Sequence, residues 1–235
     1  MCSWWERGNL SDEESIMKTH ARRVFIAAVV PAILLLGTAR ADDAGSRALK
    51  VALSLKPDVE HGSRIYARCA VCHGASGAGS VDGRVPVLAA QSAPALTRQL
   101  VAFQYDKRRD LRMRHVVSSA DLATPQDIAD VAAFISEMPP ARGVPDPQAL
   151  GSHGEAVYLG HCAICHGLEG EGSRSARVPR LAGQSAQYVY LQLIQTGSPN
   201  RPAMHLDHED ALRGLDDADI RAMSAAIAAF QPRQR

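Results

Sequence analysis

The sequence predicts an all-α protein built from two tandem modules, and three observations lead to this prediction. Apolar residues recur at helical spacing in several segments, and no segment shows the strict alternation typical of a half-buried strand. The motif at 69–74 (CAVCHG) returns 93 residues later at 162–167 (CAICHG). Between the two copies, the segment 138–147 (MPPARGVPDP) contains four prolines and is typical of a semi-extended linker.

The helices of the first module follow from their period and their capping residues. A helix is predicted over 58–68, leading into the first motif, and another over 94–109. Thr124 is a predicted N-cap, because a proline follows at the first helical position and an acid at the third. The glycine-rich segment 74–83 is predicted as a loop that wraps around a bound group.

The second module repeats this arrangement. Residues 188–195 have a helical period, and Asp216 or Asp217 is expected to cap a last helix. The glycine-rich segment 167–172 corresponds to the first loop. We therefore predict a signal peptide over 1–41, a first domain over 42–138, a linker over 139–148 and a second domain over 149–235.

Composition excludes several classes of protein. The apolar fraction of 46% and the charged fraction of 22% are those of an ordinary globular chain. A net charge of +1 lacks the basic field of a nucleic-acid binder. Aromatic residues make up only 5% of the chain, so a bound group is expected to supply apolar bulk to two small modules.

An export signal is predicted at the N-terminus. The apolar run 24–36 is 13 residues long, which suits a secretory signal better than a membrane span of about 20 residues. Lys18, Arg22 and Arg23 precede this run, and the segment 39–41 (ARA) matches a cleavage site. We expect cleavage after Ala41, with a retained anchor as the alternative.

The start of translation is a separate question. Four acidic residues lie in the first sixteen positions, where a signal should be basic, whereas Met17 begins a well-formed signal (MKTHARRVF). We therefore favour Met17 as the start, with a longer genuine leader from Met1 as the alternative.

The repeated motif, C-x-x-C-H, is the attachment signature of c-type haem. Two thiols three positions apart on a helical turn reach the two vinyl groups of one porphyrin, and the adjacent histidine reaches the iron. The motif predicts two covalently attached haem c groups, one per domain, held by Cys69, Cys72, Cys162 and Cys165. His73 and His166 are the predicted iron ligands on one face of each haem.

Other interpretations of the cysteines are weaker. A thioredoxin-type pair has no use for a repeated histidine, and no βαβ pattern surrounds it. A zinc site would place its second cysteine pair about 15–20 residues away. A disulfide within each motif would close a very short loop and give little entropic stabilisation.

The second ligand of each iron is expected in the segment before the last helix of its module. Met113 and Met204 lie there, whereas Met138 and Met223 lie on apolar helix faces. Histidines close to these two methionines compete with them as ligands and would give bis-histidine iron: His115, His205 and His208. A thioether ligand raises the reduction potential relative to a second imidazole.

Two further pairs of residues have predicted roles. Pro86 and Pro179 each follow the haem histidine by 13 residues, so their carbonyls are candidate acceptors for the second ring nitrogen of that histidine. Gly62 and Gly154 are candidates for a close crossing of two helices.

Each half resembles a class I cytochrome c domain: a first helix, C-x-x-C-H, a proline loop, a methionine loop and a terminal helix. The pair, with Val-Pro-x-Leu-Ala-x-Gln in both halves, resembles the dihaem cytochrome c4 family of the bacterial periplasm. The resemblance covers residues 58–231. It implies two tandem domains that each wrap one haem, with His73 and Met113 on the first iron and His166 and Met204 on the second.

The resemblance also implies a function. The protein is expected to be a periplasmic electron-transfer protein and not an enzyme, with redox partners such as a terminal oxidase or a quinol-oxidising complex, including membrane-associated ones. The alternatives are a dihaem enzyme of the peroxidase or thiosulfate-oxidising type, and a cytochrome subunit of a larger dehydrogenase or oxidase. The basic run from Lys107 to Arg114 is a candidate docking site for an acidic partner.

Overall fold

A computed structural model describes residues 44–146, 151–196, 198, 200 and 205–232. The predicted signal peptide and the two candidate start sites lie outside these residues. From Gly45 onward the chain forms one compact unit. The described residues are helical, and the β pairing found among them is one isolated bridge between Ser173 and Val178, which confirms the all-α prediction.

The helices fall into two modules. The first module contains α1 (44–54), α2 (Val59–His73), α3 (Ala93–Gln104), α4 (Leu111–Val117), a 3₁₀ turn (Ala120–Leu122) and α5 (Pro125–Glu137). The second module contains α6 (Ser152–His161), α7 (Ala163–His166), α8 (Ala186–Ile194), α9 (His205–Leu212) and α10 (Asp217–Ala229).

In each module, the helix that leads to the haem motif crosses the terminal helix at a glycine. A Cβ on Gly62 in α2 would lie 2.1 Å from the carbonyl oxygen of Asp130 in α5. A Cβ on Gly154 in α6 would lie 2.1 Å from the carbonyl oxygen of Ala222 in α10. Any side chain would force the helices apart, so the predicted role of both glycines in a close crossing is confirmed.

The last helix of each module begins with a capping box. Thr124 accepts a hydrogen bond from the backbone N–H of Asp127, whose carboxylate accepts one from the N–H of Thr124. Asp216 and Asp219 form the same reciprocal capping box at the start of α10. Such caps satisfy helix N–H groups that have no partner in the helix itself. The predicted caps at Thr124 and Asp216 are confirmed.

Each module has its own apolar core. The first core is built from buried side chains of α1 to α5, with Ile65, Phe103 and Ile128 among them. The second core is centred on Tyr158 and Met223, both fully buried, so the assignment of Met223 to the core is confirmed.

Three local features differ from the prediction. α1 was not predicted, yet it packs against the first core through Ala52. α3 ends at Gln104 and not at residue 109, and Asp106, just beyond it, has a positive φ of 56° that no helix accommodates. Met113 lies on a helix, α4, because the Asp110 carboxylate caps the N–H groups of Arg112 and Met113.

The proline-rich segment is bonded to the second module. The Gly143 N–H donates to the Gly183 carbonyl at 2.8 Å, and the Val144 carbonyl accepts from the Ala186 N–H at 3.1 Å. A Cβ on Gly143 would lie 2.1 Å from Oγ of Ser185, so only glycine fits there. Residues 143–144 are therefore held against the loop before α8.

Two glutamines join the modules in a reciprocal way. The side chain of Gln91 accepts from the N–H of Arg180 and donates to its carbonyl, both at 2.8 Å. Gln184 does the same to Val87, accepting at 2.8 Å and donating at 3.0 Å. Gln184 follows Gln91 by 93 residues, and Arg180 follows Val87 by 93, so the contact has the local twofold relation expected of a duplicated chain.

Candidate haem-binding sites

The structure places the histidine of each motif at the end of a helix, with one ring nitrogen bound. The Nδ1–H of His73 donates to the carbonyl of Pro86 at 3.0 Å, and that of His166 donates to the carbonyl of Pro179 at 2.9 Å. A carbonyl only accepts, so Nδ1 carries the proton and Nε2 is left to bind a metal. The predicted acceptor role of both prolines is confirmed.

The glycine-rich loops bring these carbonyls into position. The N–H of Gly79 donates to the His73 carbonyl at 2.9 Å, and the N–H of Gly172 donates to the His166 carbonyl at 2.7 Å. Both glycines have positive φ, and a Cβ on Gly79 would lie 2.3 Å from the carbonyl oxygen of Val85. Each loop therefore folds back tightly from the histidine to the proline segment that orients it.

Both haem histidines are buried, and burial lowers their pKa values. The Pro86 carbonyl opposes this effect at His73, and the Pro179 carbonyl opposes it at His166, whose pKa falls to about 4. The imidazoles are consequently neutral at physiological pH, which is the form that binds a metal.

None of the four motif cysteines is joined to another in a disulfide. Cys69 and Cys162 are half-buried, and burial raises the pKa of each to about 11. Cys72 and Cys165 are exposed. Two thiols beside a neutral, oriented imidazole are the donor set that a covalently attached haem requires, so the residues of both sites fit this group.

In each module, a tyrosine hydroxyl binds the backbone just after the motif histidine. The hydroxyl of Tyr66 donates to the Gly74 carbonyl at 2.7 Å, and that of Tyr158 donates to the Gly167 carbonyl at 2.6 Å. Tyr158 also packs edge to face against Phe230, with ring centroids 4.9 Å apart. The turn after each histidine is therefore tied to the helix that precedes it.

The candidate second ligands lie in the segments before the last helix of each module. In the first module, Met113 is half-buried and packs against the core that Cys69 and Leu88 also border, whereas His115 is exposed. In the second module, Met204 and the side chain of His205 lie outside the described residues. His208, on α9, is half-buried, and its ring centroid lies 6.2 Å from that of His166.

The internal repeat also relates two histidines that lie close to these methionines. The offset of 93 that relates the two motifs also relates His115 to His208, and each of these lies 42 residues after its haem histidine. Met113 and Met204 do not share this offset, because they follow their histidines by 40 and 38 residues. The register of the repeat therefore pairs the histidines and not the methionines.

The basic run near Met113 makes contacts within the protein. Arg108 donates to Gln99 of its own module and to Tyr188 and Gln192 of the second, each at 2.6 Å. Arg112 pairs with Asp110 at 2.9 Å, and Arg114 lies 3.3 Å from Asp106. At least three of the five cations thus have intramolecular partners, which weakens their prediction as a docking site.

Two features are absent from the described part of the chain. It holds no group of three or more His, Cys, Asp or Glu side chains placed to hold a metal ion by themselves. It also holds no helix that is both long and apolar enough to cross a membrane.

Comparison with known families assigns a cytochrome domain to each module. Residues 59–139 match the family model of cytochrome c. Residues 149–225 match the family model described as cytochrome c oxidase, cbb3-type, subunit III.

Curated proteins and solved structures agree with these matches. Cytochrome c4 of Azotobacter vinelandii is 30% identical over 186 residues, which cover 72% of this chain and 88% of that protein. A thiosulfate dehydrogenase electron acceptor of Stutzerimonas stutzeri is 28% identical over 205 residues, covering 75% and 89%. The crystal structure of reduced recombinant cytochrome c4 from Pseudomonas stutzeri superposes with a TM-score of 0.67 at 29% identity, covering 75% of this chain and all of that one.

These similarities extend over both modules, and both modules carry the complete set of attachment residues. The chain belongs to the dihaem cytochrome c4 family, and it carries two covalently attached haem c groups, one in each module.

Proposed function

We propose that this protein is a periplasmic carrier that passes single electrons between redox partners of a respiratory chain, and that it is not an enzyme. The observation that supports this most directly is the pair of buried histidines whose Nδ1 atoms are bound by proline carbonyls. The haems supply one-electron chemistry. The protein has to hold their ligands rigidly, so that little reorganisation accompanies a change of charge.

For the first iron, we propose His73 and Met113 as the two ligands. Met113 is half-buried and faces the first core, and α4 fixes its backbone through the Asp110 cap. For the second iron, we propose His166 and Met204 as the two ligands; Met204 lies outside the described residues. With both ligands in place, neither iron has an open position for a substrate.

The contact between the modules supports transfer between the two haems. Val87 and Arg180, which Gln184 and Gln91 bind, are the residues next to Pro86 and Pro179. The loops that orient the haem histidines are therefore the loops that join the modules. This arrangement holds the two sites at a constant separation, as repeated electron transfer requires.

We propose redox proteins as the partners, at least one of them membrane-associated. The match of the second module to an oxidase subunit supports a terminal oxidase as electron acceptor. The similarity to a thiosulfate dehydrogenase electron acceptor supports a soluble or membrane-bound dehydrogenase as donor.

Redox titration of the purified full-length holoprotein tests this proposal. We expect two haems per chain, a sulfur-to-iron charge-transfer band, and no binding of carbon monoxide by the reduced protein at either iron.

Met113→Leu should abolish the sulfur band of the first haem and lower its potential. Met138→Leu is the matched control, because Met138 is also half-buried against the first core. This variant should leave the sulfur band and the potential of the first haem unchanged. Rapid carbon monoxide binding by the unaltered protein would support the dihaem enzyme instead.

A further inference from the structure

The peptide unit that orients each haem histidine makes a second hydrogen bond, and its partner lies in the other module. The carbonyl of Pro86 accepts from Nδ1–H of His73 at 3.0 Å. The N–H of the same peptide unit, which belongs to Val87, donates to Oε1 of Gln184 at 2.8 Å. Two successive hydrogen bonds therefore connect the imidazole of the first module to a side chain of the second.

The second site has the same connection in the opposite direction. The carbonyl of Pro179 accepts from Nδ1–H of His166 at 2.9 Å. The N–H of that peptide unit belongs to Arg180 and donates to Oε1 of Gln91, in the first module, at 2.8 Å. Each glutamine thus binds the peptide that orients the haem histidine of the other module.

Backbone groups fix the orientation of both side-chain amides. Nε2 of Gln184 donates to the carbonyl of Val87 at 3.0 Å, and Nε2 of Gln91 donates to the carbonyl of Arg180 at 2.8 Å. Because a carbonyl only accepts and a backbone N–H only donates, exchanging the oxygen and nitrogen of either amide would break both of its bonds. The oxygen of each glutamine therefore faces the peptide N–H.

A hydrogen bond at the N–H end of a peptide unit strengthens the carbonyl at its other end as an acceptor. The partial double bond between carbon and nitrogen makes the unit a single conjugated group. Hydrogen bonds in series polarise one another, and they are electrostatically stronger away from water. Val87 is 7% exposed and Gln184 is 8% exposed, so the connection from Gln184 to His73 lies in the protein interior.

A stronger acceptor at Nδ1 makes the imidazole a more basic ligand, and a more basic ligand favours the oxidised iron. We propose that Gln184 and Gln91 are positioning residues that lower the reduction potential of the haem in the opposite module. Gln184 acts on the first haem through Pro86, and Gln91 acts on the second through Pro179. This inference rests on the proposed function, because it requires a redox-active haem at each histidine.

The two effects differ in size. Both peptide N–H groups lie 2.8 Å from their glutamine oxygen, so the lengths of the bonds do not distinguish the sites. Burial does, because Gln184 is buried whereas Gln91 is only half-buried. Water weakens the electrostatic effect of the more accessible amide, so the first haem should respond more strongly than the second.

Redox titration of the full-length holoprotein, followed by NMR, tests the proposal, because the haem methyl signals report the oxidation of each haem separately. Gln184→Leu removes the acceptor of the Val87 N–H and should raise the potential of the first haem more than that of the second. Gln91→Leu should do the opposite, with a smaller shift. Gln184→Glu keeps an acceptor oxygen for the Val87 N–H, so it should not raise the potential of the first haem.

Two controls separate this effect from a looser contact between the modules. Tyr188→Phe removes an acceptor of Arg108 at another contact between the modules without a change of charge, and it should leave both potentials unchanged. Hydrogen exchange of the Val87 and Arg180 amides should become faster only in the leucine variant that removes the acceptor of that amide.

The pattern across the modules decides between the outcomes. Leucine variants that shift the haem of their own module, shift both haems equally or shift neither would overturn the proposal while leaving the electron carrier intact. Fewer than two haems per chain, or carbon monoxide binding by the unaltered protein, would contradict the proposed function itself. If Gln184→Leu does not fold, Gln91→Leu and Gln184→Glu still test the proposal.

Discussion

The two modules are nearly the same around the haem histidine and differ in the helices that precede the last helix. In both, a loop returns from the histidine to a proline whose carbonyl orients the ring. Among the described residues of the segments before the last helices, Met113 is half-buried in the first module and His208 is half-buried in the second. The duplicated fold has thus kept the arrangement around the motif histidine in both copies.

The helix that carries the motif also differs. α2 runs without interruption from Val59 to His73, whereas the second module breaks at Cys162 between α6 and α7. Among the described residues, the first core has twelve buried members and the second has six. The described part of the second core is therefore the smaller of the two.

The largest expected effect comes from removing a haem. Replacing Cys162 and Cys165 by serine should unfold the second module, while the same change at Cys69 and Cys72 should leave the first partly ordered through its larger core. Hydrogen exchange of the full chain measures each module separately. Val71→Ala and Ile164→Ala are the controls, since these exposed side chains lie between the cysteines. Equal protection in the two double variants would contradict the comparison.

The next largest effect is expected at the glycines of the helix crossings, which both modules share. Gly62→Ala and Gly154→Ala should each destabilise the protein by about 3 kcal/mol, because the added Cβ lies 2.1 Å from a carbonyl oxygen of the crossing helix. Gly160→Ala, in the same helix as Gly154 and with nothing within 4 Å, should stabilise the protein by about 0.5–1 kcal/mol. Denaturant unfolding measures all three. Similar costs at Gly62 and Gly160 would contradict the steric argument.

Low pH should destabilise the first module more than the second, because of a buried carboxylate. Asp130 in the first module is 1% exposed; burial raises its pKa, but hydrogen bonds from His61, Asp58 and Gln126 outweigh this effect and hold it below its usual value. Its contribution is therefore complete above the unfolded pKa of about 4 and is lost as pH falls through the folded value.

Asp219 pairs with His153 at the surface of the second module, where solvent screens the charges. We expect Asp130→Asn to lower the free energy of unfolding by about 2 kcal/mol at neutral pH. Stability should then fall less steeply as the pH is lowered. Asp219→Asn should change the acid response less, because Asp219 is more exposed than Asp130 and an asparagine oxygen can still accept from the N–H of Asp216. Thermal unfolding of both variants between pH 3 and 7 measures these effects. An equal change of melting temperature with pH in the two variants would contradict the expected difference between the modules.

The smallest expected effect lies in the loop before α3 and its counterpart before α8. Ala90 has a positive φ of 54°, whereas the corresponding residue of the second module is Gly183, with φ of 72°. A left-handed alanine costs about 1 kcal/mol relative to glycine. Ala90→Gly should raise stability by up to about 1 kcal/mol, and Gly183→Ala should lower it by at least as much. Melting temperatures of the two variants check the sign at each site.

Much of the fold could be predicted from the sequence, because its signals are local. The capping residues Thr124 and Asp216 act within one helical turn, and the proline spacing of 13 residues lies within one loop. The helix α1 and the early end of α3 escaped prediction, because packing on the first core and a left-handed Asp106 decide them.

The sequence by itself determined the two haem attachment motifs, the haem histidines and the duplication, since each depends on residues a few positions apart. Only the tertiary structure decided how the modules meet and which side chains come close to the motif histidines. The reciprocal bonds of Gln91 and Gln184, and the approach of His208 to His166, join residues that lie tens of positions apart. Such contacts depend on how separate helices pack, and no local spacing encodes that.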